Sequence, residues 1–84
     1  MNAKQKKTLA MIFEKPTRSD ITWKDAVSLL VGVGAVMKEG KGSRVRFKYK
    51  DYSLHVHLPH PGKVISKGAV EAMQGFLTDI GVAS

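Results

Sequence analysis

The chain has no cysteine, which excludes a disulfide framework and any thiolate metal site. Carboxylates are scarce, with 7 Asp and Glu against 14 Lys and Arg, leaving a formal net charge of +7. Long apolar runs are also missing. The opening MNAKQKKTLAMIF offers six residues of low polarity before Glu14, Lys15 and Pro16 interrupt it. That is too short for a signal-peptide core or a membrane span, and it predicts a cytoplasmic protein without membrane contact. Only three prolines occur, at Pro16, Pro59 and Pro61, and each reads as a break between elements. No internal repeat or low-complexity segment is present.

What remains is an ordinary globular composition. A hydrophobic fraction of 43% argues against disorder. At 84 residues the chain is expected to form one domain, 1–84, in which every element contributes to a single core. The charge is uneven. Between Lys38 and Lys67 eight cations face two anions, Glu39 and Asp51, so nearly all of the excess lies there. A basic patch of this kind is the electrostatic footprint of a polyanion binder.

The same region carries the clearest periodicity. Along Arg44 to Lys50, cations alternate with Val45, Phe47 and Tyr49. Along Tyr52 to Leu58, Ser53, His55 and His57 alternate with Tyr52, Leu54, Val56 and Leu58. Period two marks half-buried strands. If Lys50 and Asp51 form a two-residue turn, Tyr49 faces Tyr52, Phe47 faces Leu54 and Val45 faces Val56, so each apolar residue finds an apolar partner. The other face then pairs Lys48 with Ser53, Arg46 with His55, and Arg44 with His57. It bears cations and two histidines but no carboxylate.

The rest of the chain supplies a cover for the apolar face. Ala3 to Lys15 predicts a first helix with Leu9, Ile12 and Phe13 as a narrow stripe. Lys4, Lys6 and Lys7 crowd its start, where the helix dipole disfavours cations, so a loosely held helix is expected. Thr22-Trp23-Lys24-Asp25 resembles a capping box and opens a helix to about Val33, with Trp23, Ala26, Val27 and Leu30 facing inward and Gly34 closing it. Ala35 to Glu39 is a short strand candidate, and Gly40-Lys41-Gly42 turns into the hairpin. Ser66 or Lys67 begins a last helix on Val70, Met73, Leu77 and Ile80, ended by Gly81. The expected class is α+β: a three-stranded antiparallel sheet with helices on one face.

Three chemistries compete for His55, His57 and His60. A His-x-His pair binds metals, but arginines as cross-strand neighbours and the lack of an acidic ligand disfavour a metal site here, so neither metal nor small-molecule cofactor is expected. The second is metal-independent RNA cleavage. A histidine base takes the proton of a ribose 2′-OH, which attacks the adjacent phosphate while cations stabilise the developing charge. Nearby guanidinium groups oppose imidazole protonation, as a base requires, and His57 opposite Arg44 fits this pairing best. The third is binding alone, with Arg44, Arg46, Lys48, His55, His60 and Lys63 on RNA phosphates. DNA binding through a recognition helix is disfavoured, because no helix carries the cations.

Several segments in order resemble one family: Leu29-Leu30 with Gly34-Ala35, then Glu39-Gly40-Lys41-Gly42-Ser43, Phe47, Pro59-His60-Pro61-Gly62-Lys63, Lys67-Gly68, and a closing helix to Gly81. Together, over about Thr22 to Val82, they are similar to the HicA toxins of bacterial toxin–antitoxin pairs. The resemblance implies a double-stranded-RNA-binding-domain-like fold over 22–82, with residues 3–15 as an additional N-terminal helix. It also implies an mRNA-cleaving endoribonuclease (an mRNA interferase) and neutralisation by a HicB-like antitoxin that covers the active face. Family members usually carry the catalytic histidine just after the glycine-serine turn, where this chain has Arg44 and Val45. Either activity is lost or reduced, leaving an RNA-binding or antitoxin-binding module, or His57 presents the imidazole from the neighbouring strand.

Overall fold

The computed structural model describes residues 1–59 and 62–82. Its first helix, α1 (Ala3–Ile12), starts on a reciprocal cap. The Asn2 side-chain oxygen accepts from the Gln5 N–H at 2.8 Å, and Gln5 Oε1 accepts from the Asn2 N–H at 2.9 Å. This satisfies the end that the lysines burden. Gln5 Nε2 also donates to the Ser28 carbonyl at 2.9 Å, and Leu9 and Ile12 are buried. The helix is therefore docked rather than loosely held. It ends at Ile12 with Phe13 as its C-cap, short of the expected Lys15. Pro16 disfavours helical geometry at Lys15, and the last turn tightens through a Glu14 N–H to Met11 carbonyl bond. Arg18 then clamps the linker. It bonds the Glu14 carboxylate at 2.6 Å and meets Asp20 with two nitrogens, at 2.8 and 2.7 Å. The Asp20 bonds, and secondarily Glu14, raise the Arg18 guanidinium further above its ordinary range. The same bonds hold the Asp20 carboxyl below its usual range.

Next comes α2 (Trp23–Gly32), capped by Thr22, whose hydroxyl accepts from the Asp25 N–H at 3.1 Å. Gly34, at φ +108, reverses the chain into β1 (Val36–Glu39). Then follow β2 (Arg44–Tyr49), β3 (Tyr52–His57) and α3 (Lys67–Asp79), the last capped by Ser66. The strands form an antiparallel sheet in the order β1-β2-β3. Gly42, at φ +68, supplies the left-handed residue of the short β1–β2 turn.

The apolar halves of β2 and β3 determine which face is covered. Val45, Phe47, Leu54 and Val56 are buried, and Phe47 is fully enclosed. They meet Ala26, Leu29 and Leu30 of α2 and Val70, Met73, Phe76 and Leu77 of α3. Leu29 belongs to this core although the expected stripe of α2 omitted it. Trp23 is only half-buried, its ring 6.1 Å from that of Phe47. α2 and α3 lie against the sheet, whereas α1 packs chiefly on those two helices. Gln74 of α3 donates to the Ile12 carbonyl at 2.6 Å and fixes that outer contact. A short backbone seam joins the segments that precede α2 and α3. Thr22 bridges Val64, the Trp23 N–H donates to the Lys63 carbonyl at 2.7 Å, and the Ile65 N–H donates to Ile21 at 2.9 Å.

Candidate nucleic-acid interface

The β2–β3 register pairs Arg44 with His57, Arg46 with His55, and Lys48 with Ser53. This is the pairing the alternation predicts. Cross-strand partners in an antiparallel pair project from the same face. The five side chains Arg44, Arg46, Lys48, His55 and His57 therefore share the face opposite the helices, and all are exposed. Lys50 does not join them. It occupies the turn at φ +53, with its ammonium 5.6 Å from the Tyr49 ring centroid.

β1 adds a cation that the sequence reading did not place. Lys38 pairs with Arg46, so Lys38, Arg46 and His55 form one row across the three strands. The signal was available. Once Gly40 to Ser43 is taken as a short hairpin turn, alternation along Val36–Glu39 assigns Lys38 to this face. The Gly40 N–H bonded to the Arg44 carbonyl at 2.8 Å closes that turn.

A shallow depression forms where these rows meet. Lys38, Lys41, Arg44, Arg46, His55 and His57 line it, with Glu39 at the β1 end. Among the described residues, none of these cations enters an ion pair. Their charge is left for a ligand. The two histidines, alternate residues of one strand, stand about 7 Å apart along β3. Among the described residues, no group of three or more His, Cys, Asp or Glu side chains could hold a metal ion.

One of the expected contacts lies elsewhere. Lys63 is off this face, beside Trp23, where its carbonyl is held by the seam before α2. His60 lies outside the described residues. No helix of the described residues is long and apolar enough to cross a membrane.

Comparisons with curated proteins and with solved structures return no match. A family model described as the HicA toxin of bacterial toxin–antitoxin matches residues 23–82, from the first residue of α2 to just past the end of α3. The α+β arrangement is compatible with that family's double-stranded-RNA-binding-domain-like fold. With most of its length matched, and with α1 alone among its helices outside the match, the chain belongs to the HicA toxin family.

Proposed function

We propose that this toxin is an endoribonuclease acting on mRNA in the cytoplasm. Its sheet face binds the RNA backbone, and its HicB-like antitoxin silences it by covering that face. Family membership already implies a toxin with an antitoxin partner. The observation that carries the finer reading is the pairing of His57 with Arg44. It sets an imidazole beside a guanidinium on an exposed face rich in cations.

In this mechanism Arg46, Lys48 and His55 hold phosphates, and the strand lies across β2 and β3. His57 accepts the proton of a ribose 2′-OH. The 2′ oxygen attacks the adjacent phosphorus, the 5′ oxygen leaves and takes a proton from water, and a 2′,3′-cyclic phosphate remains, His57 returning its proton to solvent. Arg44 stabilises the extra negative charge on the phosphate oxygens during the attack. The sequence of steps needs an imidazole and fixed cations, and it assigns no role to a metal. DNA lacks the 2′-OH and is bound without being cut.

Arg44 at the position where the resembled family usually keeps its histidine supports a second reading, a silent RNA-binding module on the same fold. Expression without the antitoxin separates the two. Growth arrest with loss of intact mRNA, abolished by His57→Ala, supports the nuclease. A harmless wild type with intact mRNA supports the silent module. Arrest that persists in His57→Ala leaves the nuclease standing but removes His57 as its base.

A further inference from the structure

A second cavity, of about 580 Å³, lies at the start of α2, away from the sheet face. Its walls are apolar: Trp23, Leu58 and Pro59. Its rim is basic: Lys4, Lys24 and Lys63. The cavity is open to solvent, so a planar nucleobase can enter it. Among the lining residues the one carboxylate is Asp25, already engaged by Lys4 at 3.5 Å. Lys24 and Lys63 form no ion pair among the described residues.

The walls are fixed by backbone bonds. The Trp23 N–H is held by the Lys63 carbonyl at 2.7 Å, and the Leu58 N–H by the Ser43 carbonyl at 2.7 Å. The indole also rests near Phe47. A flat aromatic wall with cations around it suits a base bearing phosphates, because stacking serves any base and lysines serve its backbone. The location adds direction. His57 lines the sheet-face depression, and the next residue, Leu58, lines this cavity.

We infer that the cavity is a second RNA subsite. It stacks one unpaired base on Trp23, and Lys24 and Lys63 hold the flanking phosphates of a strand that rounds the end of β3 from the sheet face, while Lys4 neutralises Asp25 at the rim. The inference rests on the RNA-binding reading and extends it. Lys4 comes from α1, which lies outside the family match, so the complete subsite combines a feature of this chain with the shared domain. The docked start of α1, through Asn2, Gln5 and Ser28, is what holds Lys4 at the rim.

Trp23 is the sole tryptophan, so its emission reports the cavity directly. The probe is a short single-stranded oligoadenylate with 2′-O-methyl riboses, which binds without being cut. Anisotropy of a labelled copy reports binding anywhere on the protein. Both signals are expected to saturate together. Lys63→Gln is expected to lower the salt slope of binding by about 0.7, as for loss of one single-strand phosphate contact. Lys4→Gln, which leaves Asp25 uncompensated at the rim, is expected to weaken binding. Trp23→Phe is expected to fold and retain weaker binding. A rise in anisotropy with unchanged Trp23 emission and no effect of Lys4→Gln overturns the subsite and leaves RNA binding intact. No rise in anisotropy removes the RNA reading and this inference with it. Emission that responds to an acidic peptide with an aromatic end, but not to the oligoadenylate, makes the occupant a protein and overturns the subsite.

Discussion

Arg44 and His57 are direct partners across the β2–β3 ladder, at the end of the hairpin far from its turn. Both are exposed and neither is part of the core. Their substitution therefore tests chemistry with little effect on folding. His57→Ala is expected to lower RNA cleavage by about 10²–10⁴-fold, the contribution of a positioned general base, while RNA affinity changes little. In that background Arg44→His returns an imidazole to the same row and is expected to restore part of the activity. Gel analysis of a defined RNA checks both. Equal cleavage by wild type and His57→Ala removes the assignment.

Phosphate contacts give a different signature. Arg46→Gln and Lys48→Gln are expected to weaken binding to all RNA sequences alike. Each lowers the slope of log affinity against log salt by about 0.7 for single strands. Lys38→Gln is expected to behave the same way, because Lys38 shares a row with Arg46. A change confined to one RNA sequence, with an unaltered slope, assigns these residues to base recognition instead.

Phe47 is fully enclosed at the centre of the sheet, against Trp23 and the helices. Phe47→Ala is expected to destabilise by about 3–5 kcal/mol. That is a large share of the roughly 4–13 kcal/mol that a chain of this size holds in total. Urea unfolding followed by circular dichroism measures it. A loss below about 1 kcal/mol, the level of an ordinary surface change, places Phe47 outside the core.

Gly34 combines φ +108 with a neighbour. A Cβ built there lies 3.2 Å from the Tyr49 ring. Gly34→Ala is expected to cost about 1–3 kcal/mol from backbone strain alone. Lys50, at φ +53, is the converse case. Lys50→Asn is expected to stabilise slightly, since asparagine tolerates the left-handed region better. Thermal midpoints of the two variants should move in opposite directions.

The Asp20–Arg18 pair sets a pH dependence. The bonds from Arg18 depress the Asp20 carboxyl in the folded state. A depressed carboxyl stabilises the fold above its unfolded value, and that contribution is lost as pH falls through the folded value. Asp20→Asn is therefore expected to lower the thermal midpoint at neutral pH, and the difference from wild type should vanish in strong acid. The pair is exposed, so the effect is small. A difference that grows in acid contradicts the sign.

The hairpin was legible because two strands of strict alternation met at a two-residue turn, and apolar pairing then admitted one register. The α2 and α3 caps were legible for a local reason: Thr22 and Ser66 stand where helices begin. The three lysines at the start of α1 argue for a loose helix only until the reciprocal Asn2–Gln5 cap is counted. The docking of α1 was not legible, since Gln5 reaches Ser28 only after both helices fold. Lys38 could have been placed by extending the alternation one strand further. The cavity at Trp23 could not. Lys4, Trp23 and Lys63 are distant in sequence, and the Thr22–Val64 bridge that gathers them lies in segments without periodicity.

The tight turn at Lys50 and Asp51 has a consequence for how this protein can change. One reading frame of alternating residues encodes both the buried layer and the basic layer, so an extra residue that is not taken up as a bulge shifts both. Insertion of a single amino acid between Phe47 and Leu54, where no bulge absorbs it, would invert β3. Leu54 and Val56 would then face solvent, and His55 and His57 would face the core. Where no bulge forms, core and basic face therefore cannot drift independently in length; they can diverge only by replacement in place.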